Sequence, residues 1–173
     1  FTEALAFVFQ QRDLQLLDIE DKNPDKDYLK TLDIFWSVYE IMGVSLVDMQ
    51  VWKWMYEHPE CTATELKNAT LEISKTVWNE YFAPVFGMKD QTILAIYSHM
   101  INSPMYLPNY AFGHLIHFQL EEHFKSHPFA AEVERIFALG QLTPAEWMRK
   151  AVGKPLSNEP ILTAATEAIE HMQ

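Results

Sequence analysis

The stretch from Asp27 to Glu57 constrains the fold most. It contains "IFWSVYEIMGVSLVDMQVWKWMYE", in which apolar residues recur at helical spacing without the strict alternation of a strand. Gly43 sits in the middle, and glycine weakens a helix interior, so a kink or break is expected there. Pro59 closes the segment.

The rest of the chain repeats this pattern. A first helix is expected from about Thr2 to Leu17, with Leu5, Phe9 and Leu16 pointing inward and Thr2 as N-cap. "DIEDKNPDKD" reads as an acidic turn broken at Pro24. Thr62 and Glu65 make a capping box for a helix to about Tyr81, ended by Pro84 and Gly87. "QTILAIYSHMI" is expected as a shorter helix with Asp90 as N-cap. Pro104 and Pro108 bracket a turn, and a helix then runs to about Lys125. "TPAE" at 143–146 is a second capping box with proline at the first helical position. Gly153 and Pro155 stop that helix, and a last one covers roughly Glu159 to His171. No alternating, β-branched strand bounded by tight turns is visible. The expectation is an all-α fold, residues 1–173 forming a single helical domain or fragment with seven or eight helices.

At 173 residues the chain can bury a sizeable core. Its formal charge of −11 argues against nucleic acid, which needs basic patches. The scattered basic residues also make an anionic membrane surface a poor partner. No uninterrupted apolar run is long enough to span a bilayer. The lone Cys61 excludes an intramolecular disulfide framework but does not fix the compartment. A soluble protein is expected, with a lean to an extracytoplasmic location. The chain opens "FTEALAFVFQQRD", without Met, signal peptide or lead-in, and so reads as a piece of a longer protein. An incomplete active site is expected, and a broken surface at Phe1 could support a dimer that the intact protein lacks.

The richest stretch is "SHMINSPMYLPNYAFGHLIHFQLEEHF", residues 98–124. His114, His117 and Glu121 fall at i, i+3 and i+7, on one helix face. Such a face could bind a divalent metal, yet it equally describes a partly solvated helix surface. His99, Tyr106 and Tyr110 lie just before it. No His in the chain is followed by Glu, so H-E-x-x-H is absent. Cys61 falls in a helix-capping turn with no supporting nucleophile motif, and the five glycines are too dispersed for a phosphate loop.

The order of several segments resembles the C-terminal half of the helical gluzincin metallopeptidases. These are the angiotensin-converting enzymes, the thimet-type oligopeptidases and the related thermostable carboxypeptidases. "FTEALAFVFQQRD" looks like the helix that supplies their third zinc ligand, some tens of residues after H-E-x-x-H. "VSLVDMQVWKW" resembles the "LVDQWRW" region of the converting enzymes. "HMINSPMYLPNYAFGHLIHFQLEEHF" resembles their His-x(6)-Tyr segment, with a second Tyr and an aromatic helix. "YLPNYAFG" is closer to the "YFPTY-LG" run of the carboxypeptidases, and "LGQLTPAEWMRKAVGKPLS" resembles the terminal segment of the converting enzymes.

The resemblance implies zinc as cofactor, a peptide substrate and four site residues. Glu3 would be the third zinc ligand, although a first-turn glutamate is also favoured simply by the helix dipole. Tyr110 would stabilise the tetrahedral oxyanion, and His99 would hydrogen-bond the substrate carbonyl. Tyr106 would touch the substrate. Each tyrosine could instead be an amphipathic helix-end residue, and His99 a surface histidine at a helix C-terminus. Three departures matter. Asn109 replaces an arginine linked to chloride, Tyr97 replaces a lysine that grips the substrate carboxylate, and the Tyr106-to-Tyr110 interval is one residue longer. The rival expectation is a non-catalytic helical interaction domain or pseudo-enzyme of the same fold.

Overall fold

The computed structural model describes residues 2–10, 12, 17 and 22–173. Every regular element among them is helical, so the fold is all-α. The helices are α1 (Thr2–Gln10), α2 (Lys26–Glu57), α3 (Ala63–Val77), α4 (Ala83–Phe86) and α5 (His99–Asn102). They continue with α6 (Pro108–Phe124), α7 (Phe129–Phe137), α8 (Pro144–Val152) and α9 (Glu159–His171). Leu16 and Phe1 lie outside the described residues. The chain falls into two compact units. One comprises Phe1–Trp36 with Phe112–Gln173, the other Ser37–Ala111.

In the Ser37–Ala111 unit, Val44, Val47 and Val51 line one face of α2 and meet Val77, Trp78, Phe82, Leu94, Met100 and Leu107. Gly43 does not break α2, which runs as one helix from Lys26 to Glu57. The glycine serves packing instead. A Cβ there would lie 2.4 Å from two ring atoms of Phe82. The helix formed by α3 widens into a single π turn at Trp78–Phe82 before α4, and Gly87 ends it at φ 70°.

The helix expected over "QTILAIYSHMI" does not form as one piece. A 3-10 turn at Ile93–Ala95 and the single turn of α5 take its place. Asp90 is no N-cap, because it adopts φ 58° and both its amide and its carboxylate pair with the Asn79 side chain at 2.8 Å. Both capping boxes form, at Thr62/Glu65 and at Thr143/Glu146, and each satisfies otherwise unpaired first-turn amides.

In the other unit, Ala4 and Val8 of α1 pack with Ile116 and Leu120 of α6, and with Ile136, Trp147, Met148 and Ala151. Gly113 lets α1 approach. A Cβ at 113 would stand 2.9 Å from Glu3 Cβ and from a Phe7 ring atom, and 3.3 Å from the Ala4 backbone. Gly113→Ala should therefore destabilise this unit by roughly 1–2 kcal/mol, the overpacking outweighing the better helix propensity of alanine. Denaturant titration checks this, and an unchanged or raised midpoint would contradict the close approach.

Candidate functional site

His99, Tyr106 and Tyr110 come together in the Ser37–Ala111 unit. The single turn of α5 presents His99. A tight reversal follows, with Met105 at φ 59°, and Pro108 then opens α6. The His99 and Tyr106 rings lie 6.3 Å apart and nearly parallel, at 17°. Tyr110 presents its edge to both, at 6.4 Å from His99 and 5.4 Å from Tyr106. The Tyr110 ring rests on the core of this unit, while Tyr106 is 38% exposed. The cluster thus offers one imidazole and two phenols, the groups that donate hydrogen bonds to a carbonyl or a developing oxyanion. Tyr97, where the resembled enzymes carry a lysine, sends its hydroxyl to Glu40 at 3.4 Å. Burial and then the Glu40 charge push its phenol up, so it stays neutral.

Asp48 lies beside this cluster and was not singled out among the expected site residues. It occupies the apolar face of α2 and is completely buried, with neither carboxylate oxygen hydrogen-bonded. Burial raises its carboxyl, against the opposing pull of the Met105 backbone, His99 and the Trp52 indole. A carboxylate among valines at helical spacing was the available sequence signal.

Glu3 belongs to the other unit, in the first turn of α1, half-buried and held against α6 where Gly113 leaves room. The structure therefore gathers three of the four expected residues in one unit and Glu3 in the other.

The face carrying His114, His117 and Glu121 is no solvated stripe. His117 is 2% exposed, and His114 stacks on Phe7 at 3.7 Å and 6°. Burial, with help from His117, holds the His114 imidazole down at about 4. Arg12 grips Glu121 through two contacts, 2.5 and 2.7 Å, a partner that helical periodicity could not supply. Burial pushes the Glu121 carboxyl up, but the His117 ring 3.6 Å away and the Arg12 guanidinium prevail and hold it at about 2. A metal on this face would have to displace that pair. His117 and Glu121 also line a cleft of about 670 Å³ with Lys30, Lys125, Glu159 and Glu167, whose mixed charge selects no ligand class.

Among the described residues, no group of three or more His, Cys, Asp or Glu side chains is gathered to hold a metal ion. No helix among them is long and apolar enough to cross a membrane. Comparison with protein-family models, curated proteins and solved structures finds no match for this chain.

Proposed function

We propose that this chain is the C-terminal portion of a zinc-dependent peptidase. It would supply the third zinc ligand, Glu3, and the His99, Tyr106 and Tyr110 groups that stabilise the tetrahedral intermediate of peptide hydrolysis. The observation that carries this reading is the convergence of His99, Tyr106 and Tyr110 from a one-turn helix, a strained reversal and the start of a long helix. The donor set fits zinc only in part, since Glu3 is one carboxylate and two further ligands must come from an H-E-x-x-H outside these residues.

Zinc, when bound, supplies an acidified water and a polarised carbonyl. The work of this chain is then positional. Tyr110 donates a hydrogen bond from its phenolic O–H to the oxygen on which charge develops. A phenol suits the task because it is directional and neutral at working pH. His99 adds a second donor on the substrate carbonyl, and the more exposed Tyr106 contacts the peptide itself. Asn109 and Tyr97 leave no cation where the resembled enzymes bind chloride and a terminal carboxylate, so neither chloride activation nor strict dipeptidase specificity is expected.

The 173-residue chain by itself should bind zinc weakly and cleave no peptide. Chelator-sensitive hydrolysis by the purified chain would refute the division of labour proposed here. A non-catalytic interaction domain is the second reading. It draws on the sequence, in which no His is followed by Glu, and a degenerate zinc motif upstream would favour it.

A further inference from the structure

Asp48 stands on α2 one turn after Val44 and three residues before Val51, both of which are core residues. Its side chain is 0% exposed, and both oxygens lack hydrogen-bond partners. A buried carboxylate without partners is costly, and native proteins pair almost all such groups. Two neighbours carry the complementary defect. His99 Nδ1 and Trp52 Nε1 are also buried and unpartnered. The Met105 backbone amide reaches the same carboxylate from the left-handed reversal, and all three groups act on Asp48 without attaining full hydrogen-bond geometry. Unsatisfied donors thus surround one unsatisfied acceptor. The titratable groups around His99 are Tyr97, Tyr106 and Tyr110, with Glu40 at the Tyr97 hydroxyl.

We propose that Asp48 is a positioning residue for His99. Its carboxylate accepts a hydrogen bond from Nδ1–H of the imidazole, which fixes ring orientation and turns Nε2 toward a ligand, as an acceptor in the neutral ring and as a donor to a carbonyl in the protonated one. Trp52 Nε1–H and Met105 N–H brace the carboxylate from its remaining sides. The pairing stands on the buried, unpartnered Asp48 oxygens, His99 Nδ1 and Trp52 Nε1 of the Ser37–Ala111 unit, while its meaning for catalysis rests on the peptidase reading.

Nitrogen-15 NMR of the His99 ring in the 173-residue chain, at a pH where the imidazole is neutral, tests the pairing. The Nδ1–H tautomer should exceed the Nε2–H form about tenfold, as one hydrogen bond to a charged acceptor would produce. In Asp48→Asn, the single carboxamide oxygen goes to Trp52 and Met105. The NH₂ then faces His99, and the ring should switch to Nε2–H. An equal tautomer ratio in parent and variant overturns the proposal.

If Asp48→Asn does not fold, His99→Gln at its half-buried position provides the reading. The Asp48 carboxyl carbon should titrate about one pH unit higher without the imidazole, and an unmoved midpoint overturns the pairing. Neither readout requires hydrolysis. In the zinc-loaded protein, Asp48→Asn should lower kcat with KM little changed, because a carboxamide facing Nδ1 no longer supports the protonated ring whose Nε2–H meets the developing charge. A tautomer switch without that kinetic effect would count against the peptidase reading and leave the pairing standing.

Discussion

Lowering the pH from about 6.5 to 4 should remove roughly 3 kcal/mol of stability from the unit built on α1 and α6, and His114→Phe should abolish that loss. The cause is the stack of His114 on Phe7, which buries the imidazole and holds its folded value at about 4 against an ordinary 6.5. Between those values the unfolded chain carries a proton that the folded chain refuses. Stability is therefore complete above the unfolded value and drains away as pH falls through the folded one. At about 1.4 kcal/mol per pH unit, less the incomplete titration at the two ends of the interval, the loss is roughly 3 kcal/mol.

Phenylalanine preserves the stacked ring and removes the titration. His114 Nδ1 has no hydrogen-bond partner to lose. Urea titrations at pH 7 and pH 4.5 provide the check. The parent midpoint should fall steeply between them, and the variant midpoint should barely move. A parallel fall in both would place the acid sensitivity elsewhere.

A second limb should follow at lower pH. Glu121 is held at about 2 in the folded chain, against 4.5 ordinarily, so its contribution is present above 4.5 and lost as pH falls toward 2. Glu121→Gln should flatten this lower limb and leave the His114 limb in place.

Tyr110→Phe carries the other large effect. Under the peptidase reading proposed above, kcat should fall by roughly 10²-fold or more with KM nearly unchanged. The substitution keeps the ring that rests on the core of the Ser37–Ala111 unit and removes only the donor. The effect is then specific to the transition state, where charge on the oxyanion makes a phenolic hydrogen bond count most. Tyr106→Phe should do less and act more on KM, because that residue is the more exposed of the pair and is assigned to the peptide. An unchanged kcat in Tyr110→Phe would remove Tyr110 from the oxyanion role.

The elements legible in the sequence are those fixed by local chemistry. Thr62/Glu65 and Thr143/Glu146 close their capping boxes within one turn, Gly153 takes the left-handed position at φ 73°, and Glu159–His171 forms as expected. Long-range packing was not legible. Gly43 looked like a weak point because propensity is local, whereas the Phe82 ring that requires it lies some forty residues away. His117 looked solvated because periodicity defines a face without naming what covers it, and neither α1 nor Arg12 is near it in sequence.

Asp48 is the instructive case. As an anomaly it was visible, a carboxylate among valines. Its complement His99 stands about fifty residues downstream, beyond a turn that no propensity would bend that way. The spacing of His99, Tyr106 and Tyr110 was readable, but their convergence depends on the left-handed Met105 and on a helix that stops after one turn.

The most direct test of the central claim is the sequence N-terminal to Phe1 in the intact protein, read by mass spectrometry of the protein from its natural source. An H-E-x-x-H some tens of residues before Glu3 is the result expected of a zinc peptidase. An intact upstream segment carrying a degenerate motif, or none, would contradict the claim.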